Sequence, residues 1–492
     1  MNTEKEEKPP HLPSLLRNWT SLIGLVVGIG ALFSFFLLFM LDAVSTFSNP
    51  YVGILTYCIV PVFLISGIAL TFFGIWRERR KRQRENFSVP RMQIDLANPH
   101  DRKMLVAFVA GSFAFIMLSA VGSYNAYHVT ESVQFCGETC HTVMKPELTT
   151  HDHGPHARVA CVECHVGAGA SWFVKSKISG SYQLYAVMFN KYPRPIPTPI
   201  KNLRPARETC EQCHWPKEFV GNLDRTFNYF QGDVSNSPYS IRLLLKVGAG
   251  NSGDAPAGGI HWHILSGNTV EYIATDAARQ KIPWVRLTDA RGVVTVFHAP
   301  KFTNDISKYE IRKMDCMDCH NRPSHRYVPP DFAVNNALAQ KQIDPAIPWI
   351  KTNAVYILTR HYQTEDEARK SIADALSEKY PGDVRIKSAI TTVQQIYSDN
   401  FFPEMKADWS KYPDNIGHMI WPGCFRCHDG MHKTEDKKLV IKANDCNACH
   451  TILAQGSGDQ LLQLTPGGQQ FQHPAGDLGG DNSCIECHNG GP

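Results

Sequence analysis

A recurrent Cys-x-x-Cys-His pentapeptide, three uncharged runs ahead of it and a mid-chain stretch of alternating residues predict a membrane-anchored multihaem cytochrome c. The expected architecture is three N-terminal transmembrane helices, then a mostly α or irregular haem-packed periplasmic domain with a small antiparallel β insertion. Residues 1–127 would form a cytoplasmic tail and the three spans, and 128–325 a four-motif domain with the insertion at about 216–312. A helical bridge at 326–414 would lead to a three-motif domain at 415–492.

The pentapeptide carries the strongest chemistry. Two thiols separated by two residues reach the two vinyl groups of one porphyrin, and the next histidine lies under the iron as its proximal ligand. The pattern occurs at Cys161-Cys164-His165, Cys210-Cys213-His214, Cys316-Cys319-His320, Cys424-Cys427-His428, Cys446-Cys449-His450 and Cys484-Cys487-His488. A looser copy, Cys136-Cys140-His141, has three residues between its cysteines. Zinc ribbons and disulfide frameworks give no reason for a histidine after every second cysteine. Seven covalent haems c account for all 15 cysteines except Cys58, which sits in an apolar run as a buried thiol would.

Charge is uneven along the chain. Residues 77–103 hold nine Lys/Arg against four Asp/Glu, a local +5 that exceeds the net +4 of the whole chain. The segment beyond is near neutral, and two propionates per haem would make it acidic, which argues against nucleic-acid binding.

Residues 1–17 read as a short polar tail. Residues 19–41, 51–76 and 104–127 are three uncharged runs of bilayer length, the second interrupted by Pro61. A cleaved signal peptide is disfavoured, because the first run is long, lacks a strongly basic start and is followed by two more. The loop at 77–84 holds six basic residues and the loop at 42–50 none, so the former belongs in the cytoplasm. Three spans then place everything after residue 127 in the periplasm, where covalent haem is attached. The expected localisation is the bacterial inner membrane.

Beyond the third motif, residues 239–247, 259–265, 269–275, 283–288 and 292–298 alternate or are β-branched, which predicts the antiparallel insertion. Residues 333–340, 350–362, 364–380 and 386–399 have helical periodicity, with a capping box at Thr364-x-x-Glu367. The last segment, rich in Gly, Asn, Asp and Gln, reads as loops packed on porphyrin.

Whether each iron is saturated separates a wire from an enzyme. Twelve further histidines lie beyond residue 127, ample for seven distal positions. Proximity to motifs singles out His156, His325, His432, His418 and His473. His261 and His263 flank Trp262 on an expected strand and would share one face. Met144, three residues after His141, is a candidate thioether ligand, which would raise that haem's potential relative to a bis-histidine site.

The third run, followed by C-G-E-T-C-H-T-V-M-K-P-E, His156 and C-V-E-C-H, resembles the NapC/NirT/NrfH family of membrane-anchored quinol dehydrogenases over residues 104–325. The three spans and seven motifs look like its ImcH-like heptahaem branch. The resemblance implies electrons taken from menaquinol near the first haem and passed to periplasmic c-type cytochromes or reductases. It also implies a quinol pocket lined by a lysine, matched by Lys175 or Lys177, and a carboxylate, matched by Glu147. The family's first motif is C-x-x-C-H-x-M, so the spacing here departs by one residue in each half. Two rival functions stand beside quinol oxidation: a terminal reductase with an open haem site, and an electron-conduit subunit of a larger respiratory complex with no quinol site of its own.

Overall fold

A computed structural model describes residues 18–44, 59–84, 96–100, scattered positions between 102 and 117, 131–139, 141–167, 170–200, 203–215, 221–248, 259–265, 267–300, 302, 305–442, 446–476 and 484–491. The chain divides into two compact units, Met1–Cys136 with Cys161–Tyr182, and Gly137–Ala160 with Gln183–Pro492.

In the first unit, α1 (Trp19–Val44) and α2 (Val60–Arg84) pack together as a pair. Asn18 caps α1, its Oδ1 accepting the Ser21 N–H at 2.8 Å. Within them, Trp19–Phe36 and Val60–Lys81 are long and apolar enough to cross a membrane. Phe33, Ile65 and Phe72 point away from the pair, as lipid-facing side chains would. Pro61 is the second residue of α2, and the expected span ahead of it, residues 51–58, lies outside the described residues. Of the third expected span, 104–127, residues 105–107, 109–111, 113 and 117 are helical, and the remainder lies outside the described residues.

Small residues let the two backbones meet. A Cβ on Gly67 would stand 2.5 Å from Gly28 N and 2.8 Å from Gly24 O. Ser21 Oγ donates across the pair to the Thr71 carbonyl at 3.2 Å. Gly67→Leu is therefore expected to separate the helices, since the clash is with backbone that cannot move aside. A Ser21→Cys/Thr71→Cys pair that crosslinks in membranes should stop crosslinking once the Gly67→Leu substitution is added.

In the second unit, α3 (His141–Asp152) follows the first motif. Helix α4 (Ala170–Met188) belongs to the first unit up to Tyr182 and to the second beyond it. The strands are β1 (Leu223–Phe230), β2 (Pro238–Leu245), β3 (Thr269–Ile273), β4 (Trp284–Thr288), β5 (Val294–His298), β6 (Arg312–Lys313) and β7 (His450–Gly456). They form two antiparallel sheets, ordered β1-β2-β7 and β5-β4-β3-β6.

Two features differ from the sequence reading. The insertion is not self-contained, because β7 comes from the last segment and pairs with β2. Residues 259–265 are not a strand: Trp262–Leu265 is a single helical turn, entered through Gly259 at φ +108. Three alternating residues are too few to hold a strand against a glycine turn.

The helical bridge follows its periodicity closely, as α5 (Pro330–Ala339), α6 (Ile350–Leu358), α7 (Glu365–Lys379) and α8 (Ile386–Asn400). Thr364 Oγ1 accepts the Glu367 N–H at 3.2 Å, while Glu367 reaches one residue further back, to the Gln363 N–H at 2.7 Å. Val334, Ile350, Leu358, Ile372, Leu376 and Val393 pack into a fully buried aliphatic core. The β1–β2 hairpin docks on it. Phe230 joins the core, and Asn236 Nδ2 donates to the Pro345 and Ile347 carbonyls at 2.9 and 2.8 Å.

Candidate haem-binding sites

Each complete described motif forms one turn. Cys161–His165, Cys316–Cys319, Cys446–Cys449 and Cys484–Cys487 are helical, Ala206–Cys210 leads into the third motif, and Gly423–Arg426 is a 3-10 turn. His214, His320, His428 and His488 each donate their backbone N–H to the carbonyl of the first cysteine, at 2.8, 2.8, 3.0 and 2.7 Å. That bond explains the spacing, because residues three and four apart share one side of a turn. Both sulfurs and the imidazole then face the same way. The first motif uses a π-turn, Phe135–Thr139, whose wider loop carries the additional residue. Its Cys140 lies outside the described residues. Met144 is half-buried on the first turn of α3.

Five motif histidines face a second histidine at a nearly constant distance. Ring centroids are 6.0 Å apart in His156–His214, 6.3 Å in His261–His320, 5.9 Å in His263–His428, 6.3 Å in His418–His450 and 6.0 Å in His473–His488. Interplanar angles run from 9° to 82°, so ring stacking is not what sets the distance. An iron between two imidazoles would set it: metal–nitrogen bonds of about 2 Å on each side, plus roughly 1 Å from nitrogen to ring centre, sum to about 6 Å. None of the described motif cysteines is tied up in a disulfide, so their sulfurs are available for haem attachment.

The nitrogens are oriented to match. Nδ1 is bonded to a backbone carbonyl in His156 (Pro323, 3.1 Å), His263 (Ile260, 2.9 Å) and His428 (Lys442, 3.4 Å), and in His261 (Val247). A proton on Nδ1 places the lone pair on Nε2, the arrangement that fixes a metal-binding tautomer. The pattern does not extend to every pair: the Nδ1 of His473 accepts the Ala475 N–H at 3.2 Å, and the buried Nδ1 atoms of His418 and His450 have no hydrogen-bond partner. Burial pulls the pKa values of His263, His320, His418, His428, His450 and His488 down, keeping these rings neutral, the form that ligates.

Other sequence candidates are placed differently. His325 faces His151 at 6.4 Å, and neither belongs to a motif. Its Nδ1 donates to the Glu147 carbonyl at 2.9 Å, and burial holds its pKa down to about 4. The Glu147 carboxylate lies 3.2 Å from that nitrogen and 3.7 Å from Arg322, whose guanidinium covers the Tyr412 ring at 4.4 Å. Lys175 is exposed and sits 4.7 Å over Trp172.

His432 has both ring nitrogens engaged, Nδ1 with Asp429 at 2.9 Å and Nε2 with the Ile282 carbonyl at 2.7 Å. Burial alone would lower its pKa, but the Asp429 carboxylate and that carbonyl raise it on balance. An imidazole donating from both nitrogens is a structural tie, and proximity to a motif gave no warning of it.

Repeated haem-attachment turns behind a pair of membrane-length helices define a membrane-anchored multihaem c-type cytochrome. Residues 98–195 match the model of the NapC/NirT cytochrome c family, N-terminal region. Over 96% of its length the chain is 42% identical to the cytochrome c-type protein ImcH of Geobacter sulfurreducens (strain ATCC 51573 / DSM 12127 / PCA), covering 95% of that protein. The chain belongs to the NapC/NirT family and is ImcH-like, and as a cytochrome c it carries covalently bound haem. No solved structure matches it.

Proposed function

We propose that the chain is an inner-membrane, quinol-oxidising heptahaem cytochrome c, which passes electrons from menaquinol to periplasmic c-type cytochromes or reductases. The observation that carries this reading is the set of five facing histidine pairs. Bound haem supplies one-electron redox chemistry, and a ligand on each side leaves its iron no open position for a substrate. Saturation of this kind favours electron carriage over a terminal reductase. The basic stretch at 77–84, read as cytoplasmic, together with the third expected span at 104–127, supports a periplasmic position for the motifs.

Family resemblance points to Lys175 or Lys177, and to Glu147, as residues that would line a quinol pocket. Met144 is the thioether candidate at the first site, beside His141. Whether the chain oxidises quinol itself or is a conduit within a larger complex is decided by reconstitution. Menaquinol added to vesicles holding the purified chain should bring up the reduced haem bands, and a quinone-site inhibitor should block them. Reduction only through an added partner would favour the conduit. Carbon monoxide binding at any of the five two-histidine sites would favour the reductase.

A further inference from the structure

Two of the five facing pairs draw their second histidine from the same turn. Ile260 N–H donates to the Lys246 carbonyl at 2.7 Å, and Ile264 N–H to the His261 carbonyl at 3.1 Å. A Cβ on Gly259 would stand 2.2 Å from the Gly248 carbonyl, so the turn is pressed against the end of β2. On a helical turn, residues two apart point in nearly opposite directions. His261 accordingly faces His320 with the two rings nearly parallel, 9° apart, and His263 faces His428 with the rings nearly perpendicular, at 82°.

The attachment turns of those same two motifs are joined on their other side. Arg426, between Cys424 and Cys427, donates Nη2 to the Asp318 carbonyl at 2.7 Å and Nη1 to the Arg279 carbonyl at 2.9 Å. Asp318 lies between Cys316 and Cys319, and Asn415 donates to the same carbonyl at 3.0 Å.

We propose that the 259–265 turn is a double ligand arm: His261 is the distal iron ligand at the Cys316–His320 site and His263 at the Cys424–His428 site. The Arg426–Asp318 bond fixes the two attachment turns side by side. The arm and this clamp make one assembled unit of the fourth and fifth sites, which joins the four-motif part of the chain to the three-motif part. The proposal rests on the haem-carrying reading above and adds which residue serves which iron.

The test is carbon monoxide stoichiometry on the reduced full-length protein, with covalent haem counted in the same samples. Relative to the parent, His261→Gly and His263→Gly should each open one site, and the double variant two. Added imidazole should close them again. His263→Met and His261→Met, which keep a ligand and spare the fold, should each add one sulfur-to-iron charge-transfer band and raise the potential of one haem. A double variant that opens only one site would put both histidines on the same iron and overturn the proposal. Unchanged spectra in the Met variants, with the full haem count, would overturn it while leaving the haem reading intact. A parent without covalent haem would overturn both.

Discussion

Asp318→Ala is expected to destabilise the protein by about 3–5 kcal/mol, the usual cost of removing one partner from a buried charge cluster. The carboxylate is almost wholly buried, and its Oδ1 accepts from the Tyr272 hydroxyl at 2.6 Å, Arg312 Nε at 2.8 Å and Arg279 Nη1 at 3.2 Å. Oδ2 accepts the Asp315 N–H at 2.7 Å and completes a capping box at the fourth motif. Burial and this carboxylate together push the Tyr272 hydroxyl well above its ordinary pKa. Alanine would take this acceptor from Tyr272, Arg279 and Arg312, of which Arg312 keeps Asp315 at 3.0 Å. Thermal unfolding should show the loss, and covalent haem should fall by up to two per chain. A stability change under about 1 kcal/mol, with full haem, would mean that the two arginines find other acceptors.

Ile372→Ala should cost about 2–5 kcal/mol, as for large-to-small changes in a packed core, yet leave the haem spectrum untouched. Ile372 is fully buried on α7 among Leu358, Leu376, Ala389 and Val393, all from the bridge itself. The contrast with Asp318 is the informative part. The bridge holds a conventional aliphatic core, whereas many of the described motif cysteines and histidines are half-buried, on turns that would pack against porphyrin. Urea titration read by far-ultraviolet circular dichroism should shift to lower urea. Ligand-sensitive absorption bands of the folded protein should superimpose on those of the parent.

The sequence was legible where local chemistry is repetitive. The motif spacing is a consequence of one helical turn, and six copies state it without reference to anything distant. The four bridge helices were legible for the same reason, because 3.6-residue periodicity is a local property of the chain. What escaped depends on distant partners. Leu223–Phe230, with its Asp, Arg and Asn, gives no strand signal until β2 and the bridge are placed beside it. β7 begins at His450 itself, so its strand character was hidden under the haem motif. His261 and His263 alternate as strand residues do, yet a glycine with positive φ turns them into opposite-facing groups. Nothing in the sequence around His432 foretells that Ile282 will take its second nitrogen.

β7 also bears on how the chain reaches its final state as it is synthesised. β2 lies in the middle of its sheet only because residues 450–456 close one side, at a sequence separation of about two hundred residues. Until the last tenth of the polypeptide emerges, that side is an open template for another molecule, the situation in which nascent β-chains aggregate. Chains stopped before residue 450 should therefore accumulate as insoluble or proteolysed material and not as a smaller working cytochrome.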